Sequence, residues 1–216
     1  MFELESGDSL VRLLVVLAGV VLLGPYILIQ SRRLAIPYKT TSTWSARTAG
    51  VSVALMSIAF AFLSLKYVNL LTLGLMMILT ANLVLLSLLD ARLKVLPNKL
   101  TLPLLVAGLL LSLTGYTVPW LDAVLGMICG FLILYLPALI YSKLRGRSGV
   151  GFGDIKLMAA VGAWLGWQPI LHIIFVAGLS AALFGAAYLH IKQRPKTEKI
   201  PFGPFLAITT IVYMLI

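Results

Sequence analysis

The sequence predicts an all-α integral membrane protein: a polytopic bundle of about eight transmembrane helices, with both termini on the outer, periplasmic side. Three observations carry that reading. Of 216 residues, 61% are hydrophobic and only 11% charged, against roughly 25% charged in soluble domains. The apolar residues fall into runs, several of them close to the ~20 residues that a bilayer crossing needs. The basic residues alternate between the connections that join those runs. A chain this apolar cannot bury its hydrophobic side chains in one core and still keep a wetted surface, so soluble enzyme, secreted domain and disordered scaffold are poor descriptions of it.

The runs follow in order. The first covers about residues 10–29. It is preceded by the acidic head MFELESGDSL, whereas a secretory signal starts on a basic region, so this run is expected to stay in the membrane. The second is about 49–65. The third, about 68–89, leads directly into Asp90. The fourth and fifth are about 100–114 and 121–141. The sixth begins near Asp154 and ends near Trp167, the seventh spans about 170–191, and the eighth starts near Pro201. Spans four, six and eight are short for a full crossing. The loops leave no room for a soluble domain, so residues 1–216 are read as one polytopic domain.

Charge tests this count. Residues 31–48 hold Arg32, Arg33, Lys39 and Arg47, and the next connection holds only Lys66. Residues 90–99 hold Arg92, Lys94 and Lys99, and 115–120 hold no basic residue. Lys143, Arg145, Arg147 and Lys156 follow, then a bare turn, then Lys192, Arg194, Lys196 and Lys199. Of 17 Lys and Arg, all but Arg12 and Lys66 fall on one side. The positive-inside rule makes that side cytoplasmic. The net charge of +10 would point to nucleic acid in a soluble protein. Here it orients helices, so a lipid bilayer is the expected partner and nucleic acid is not. Trp120, Trp164 and Trp167 then fall at the outer interface and Trp44 at the inner one, where Trp is favoured.

The single cysteine, Cys129, excludes an internal disulfide and any multi-cysteine zinc site. His172 and His190 share one apolar stretch without a neighbouring ligand, so no metal site is expected.

Seven acids remain. Glu3, Glu5 and Asp8 lie on the head, Asp122 opens an outer span end, and Glu198 sits among basic residues. Asp90 and Asp154 differ. Asp90 ends a long apolar run, and a charge at that depth is expensive. Its bland alternative is an interfacial acid paired with Arg92 or Lys94. Asp154 follows Gly149, Gly151 and Gly153, residues that allow another backbone to approach closely. Its bland alternative is an ordinary helix N-cap. The GxxxxGK[ST] pattern of a nucleotide loop is absent. Topology joins the two acids at the inner boundary. Two close carboxylates do not both ionise readily. The ionised member can activate water while the protonated one polarises a carbonyl or protonates a leaving amine. That is peptide-bond hydrolysis without a metal or a cofactor.

The motifs around these acids resemble a known family. Gly151-Phe152-Gly153-Asp154, with Lys156 following, is similar to the GxGD signature of the type IV prepilin peptidases. Asp90 and the later Pro97-Asn98 resemble that family's first aspartate motif, which often has Asp where Asn98 stands. Residues 200–205, IPFGPF, resemble a third family segment. The resemblance implies an aspartic endopeptidase of the bacterial inner (cytoplasmic) membrane, multi-pass, with its active site at the cytoplasmic face. Asp90 and Asp154 would be its catalytic pair, with Gly151, Gly153, Lys156, Pro97 and Asn98 as supporting motif residues. Its substrates would be prepilins or pseudopilins, which lose a short basic leader and feed type IV pili or type II secretion. Many members also methylate the new N-terminus with S-adenosylmethionine and carry two CxxC pairs in the loop after span one. Here that loop is short and has no cysteine, so methylation, and with it S-adenosylmethionine, is not expected.

Other readings use the same acids. A small ion- or proton-coupled transporter also pairs intramembrane carboxylates, but transport sites favour the midplane. An inactive relative would have no need of both acids. A peptidase of the same type acting on another substrate, such as preflagellin, stays open.

Overall fold

A computed structural model describes residues 6–35, 46–146, 150–192 and 200–216. Glu3, Glu5, Trp44, Gly149 and Glu198 lie outside them, as does the centre of the first basic loop. The described residues form eight helices and no strand. They are α1 (Ser6–Ala35), α2 (Ala46–Lys66), α3 (Leu70–Leu93), α4 (Asn98–Ser112), α5 (Trp120–Arg145), α6 (Phe152–Leu165), α7 (Ile170–Ile191) and α8 (Gly203–Leu215). Each predicted run overlaps one of them. Four, α1, α3, α5 and α7, are long and apolar enough to cross a membrane. In α2, α4 and α8 the apolar stretches are shorter.

Two boundaries differ from the sequence reading in ways that matter. Asp90 does not end its helix. Ala91, Arg92 and Leu93 are good helix formers, so α3 continues one turn past the acid. It stops at Lys94, which has φ 54°, a left-handed conformation uncommon outside glycine and asparagine. The Lys94 N–H donates to the carbonyl of Asp90 at 2.9 Å, closing the last turn. Asp154 is not the N-cap of α6. That position is Gly151, and Asp154 stands three residues inside, its N–H donating to the Gly151 carbonyl at 3.1 Å.

By packing, the chain divides into two compact units, residues 1–85 with 214–216 and residues 86–213. In the first, α2 buries Met56, Phe60 and Leu63, spaced four and three residues apart so that they share one face. Gly24 of α1 lies against Val53 and Met56; a Cβ there would stand 3.7 Å and 3.9 Å from them.

In the second unit α6 is the centre. Every residue from Asp154 to Trp164 except Lys156 is buried, and Ala159, Ala160, Gly162 and Ala163 among them are small. The α5 face that meets it carries Gly126 and Gly130. A Cβ on Gly126 would run into the carbonyl of Gly162, one on Gly162 into that of Gly126, and one on Gly130 into that of Met158. Absent side chains let the two backbones touch, as in membrane helix pairs generally. On the other side, Gly108 of α4 makes room for the indole of Trp164, whose Nε1–H donates to the Leu104 carbonyl at 2.8 Å. Trp164 is therefore a core residue, only 1% exposed, and not the interfacial anchor expected of it. Trp120 and Trp167 are exposed.

Candidate active site

The site is assembled from three chain segments of the second unit. The last turn of α3 supplies Asp90, the first turn of α6 supplies Asp154, and the first residue of α8 supplies the Gly203 N–H. Asp90 and Asp154 are 6% and 7% exposed. Burial of that degree is rare for carboxylates unless they are hydrogen-bonded or functional. They are close enough for the charge of Asp90 to act repulsively on Asp154. The two acids singled out in the sequence are thus brought together.

Each carboxylate has a backbone donor. Oδ2 of Asp90 accepts the Gly203 N–H at 2.8 Å. The carboxylate of Asp154 accepts the Gly151 N–H, the reach back to the N-cap made by acids at the third helical position. Oδ1 of Asp154 is buried without a hydrogen-bond partner among the described residues. A buried acceptor in that state is costly and suits a water or a proton shared with a neighbouring carboxylate.

The supporting residues converge as well. Pro97 precedes α4 with an extended backbone, its fixed φ suiting a helix start. Asn98, the first residue of α4, accepts from Lys156 Nζ at 2.9 Å through Oδ1. The same ammonium lies 4.7 Å from the centroid of the Phe152 ring, within cation–π range. Gly153 faces Leu96: a Cβ at 153 would stand 2.7 Å from the Leu96 Cβ. At Gly151 a Cβ would stand 2.9 Å from Oδ2 of Asp154. The described glycines of this loop therefore make space for the protein's own side chains.

Gly203 is the residue whose role the sequence did not disclose. Its segment was recognised as a motif, but a backbone N–H leaves no signature in side-chain chemistry. The one signal was a glycine between Phe202 and Pro204, at a helix start, in a chain short of other candidates. No group of three His, Cys, Asp or Glu able to hold a metal occurs among the described residues.

Four helices fit to cross a bilayer and two buried aspartates within one compact unit define a multi-pass membrane protein with a pair of buried carboxylates. Residues 77–186 match the type IV leader peptidase family, just over half of the chain, and the chain belongs to that family. It is 42% identical over 139 residues to the prepilin leader peptidase/N-methyltransferase of Aeromonas salmonicida, covering 64% of this chain and 48% of that one. It is 40% identical over 139 residues to the protein of the same name from Aeromonas hydrophila, covering 64% and 48%. Against that of Xanthomonas campestris it is 42% identical over 131 residues, covering 61% and 46%. The chain thus spans about half the length of the curated relatives it matches. No solved structure matches it. The family match contains Asp90, Pro97, Asn98, Gly151, Gly153, Asp154 and Lys156, and ends before Gly203.

Proposed function

We propose that this protein is an aspartic endopeptidase that removes the short basic leader of type IV prepilins or pseudopilins. The observation that carries the reading is the buried pair Asp90 and Asp154 at one site, in a chain of the leader peptidase family. The ionised member takes a proton from water, and the water oxygen attacks the scissile carbonyl carbon. The protonated member donates to the carbonyl oxygen. Collapse of the tetrahedral intermediate breaks the C–N bond, and the leaving amine takes a proton from the dyad. No metal or cofactor enters these steps.

The eight helices are all placed in the membrane under this proposal, as one polytopic peptidase of the bacterial inner membrane, with α1 entering from the outer side. The dyad then lies at the cytoplasmic face, supported by the alternation of basic residues. A prepilin with its apolar helix in the bilayer and its leader in the cytoplasm would present its scissile bond at that level. The relatives' names include N-methyltransferase. The cysteine-free loop after α1 supports a peptidase without methylation, and so without a need for S-adenosylmethionine.

The test is co-expression with a tagged prepilin from the same genome, followed by intact mass. Wild type should remove the leader without adding a methyl group, while Asp90→Asn and Asp154→Asn leave the precursor intact. Cleavage by either variant would remove that residue from the catalytic pair.

A further inference from the structure

Asp90 is held by a segment outside the matched family region. Its Oδ2 receives the Gly203 N–H at 2.8 Å, and Gly203 is itself buried. It opens α8, where the first N–H groups of a helix have no intrahelical acceptor. The turn that carries it is fixed by the Phe202 carbonyl, which accepts from Phe205 N at 3.1 Å and from Leu206 N at 3.2 Å. Pro204 follows, at a position where a missing N–H costs nothing. Space also demands glycine there. A Cβ at 203 would stand 2.8 Å from Oδ2 and 3.0 Å from both Cβ and Cγ of Asp90. Rotating χ1 could withdraw the oxygen, but Cβ is fixed by the α3 backbone.

We infer that Gly203 is a positioning residue of the reaction: its N–H anchors one oxygen of Asp90 and leaves the other to face water and the scissile carbonyl. The inference rests on the proposed peptidase reading and adds α8 to the machinery. Fixing one oxygen removes the freedom of the carboxylate to rotate about χ2. A glycine is the one residue that delivers a backbone donor this close to the acid.

Two measurements test it. In the first, kcat and KM for prepilin cleavage are compared in wild type, Asp90→Asn, Gly203→Ala and, as a control, Ile208→Ala on the exposed side of α8. Displacing a reacting group by about 1 Å costs on the order of 10²-fold in rate, so Gly203→Ala should lose about that much in kcat with KM unchanged. Ile208→Ala should match wild type. The second reads the contact directly and does not depend on Gly203→Ala folding. Labelling Phe carbonyls with 13C and glycine with 15N isolates the Phe-Gly amides of Gly153, Gly185 and Gly203. The Gly203 proton should resonate downfield and move upfield in Asp90→Ala. Wild-type kcat in Gly203→Ala, a change confined to KM, or an unmoved amide would overturn the inference. Failure of the wild type to cleave would instead sink the peptidase reading, and the amide shift would still decide whether Gly203 holds Asp90.

Discussion

Lys156 donates its ammonium to the side-chain carbonyl of Asn98 across 2.9 Å, joining two motifs that lie far apart in the sequence. Asn98 gives the contact a neutral acceptor. Lys156 is half-buried and Asn98 exposed, so the contact is partly screened. Asn98→Asp should turn it into a surface ion pair worth about 0–1 kcal/mol. Melting of the detergent-solubilised protein should shift little, and cleavage should persist. Asn98→Leu removes the acceptor and should cost about 1 kcal/mol or somewhat more, as for a lost bond to a charged donor. If Asn98→Asp abolished cleavage, the neutral acceptor would have a role beyond holding Lys156.

Much of this architecture was legible in the sequence, for physical reasons that also mark where legibility stopped. The apolar runs and the breaks between them located all eight helices of the described residues. The continuation of α3 past Asp90 was hidden: an acid after an apolar run resembles an interface, while Ala91, Arg92 and Leu93 favour further helix. Lys94 as a left-handed stop was equally hidden, since lysine does not announce that conformation. Asp90 and Asp154 stood out because acids are scarce here. The burial of α6 did not, because a short run of Ala, Gly and Leu resembles a thin span. Its cause lies on α5, where Gly126 and Gly130 form a GxxxG pattern that could have signalled close helix contact. Trp164 was misplaced for a related reason. Tryptophan favours interfaces on average, but Gly108 opens a slot and Leu104 supplies an acceptor.

The Gly126–Gly162 contact predicts an asymmetry among the glycines. A Cβ at either position would meet the backbone of the other helix, which cannot rotate away. Gly162→Val should destabilise by about 1–3 kcal/mol or more, the range for overpacking a close-packed interior. Gly178, on α7, has nothing within 4 Å of a built Cβ, so Gly178→Ala should be close to neutral. Thermal unfolding of both variants in the same detergent decides this. Equal melting would show that α5 and α6 can separate at little cost.

Trp164→Phe isolates one hydrogen bond in the same core. The substitution keeps an aromatic ring but leaves the Leu104 carbonyl without its side-chain donor and part of the slot beside Gly108 empty. A net hydrogen bond contributes about 0.5–1.5 kcal/mol, and the lost volume adds a cavity term. The expected loss is about 2 kcal/mol. Hydrogen exchange around α4 and α6 should rise while the dyad chemistry persists, since Trp164 is at the opposite end of α6 from Asp154. A variant with wild-type stability would remove this bond from the forces that hold α4 to α6.

Orientation can be read from α7 alone. It is long and apolar enough to cross, with exposed Gln168 before it and exposed Lys192 after it. Because Cys129 is the single cysteine, Cys129→Ser provides a clean background for Gln168→Cys and Lys192→Cys. The positive-inside rule puts Lys192 in the cytoplasm. A membrane-impermeant maleimide added to spheroplasts should therefore label the cysteine at 168 at once, and the one at 192 only after permeabilisation. Reversed labelling would put the basic loops outside and the dyad at the wrong face for a cytoplasmic leader. Labelling of both from one side would mean that α7 does not cross, and the eight-span count would fall with it.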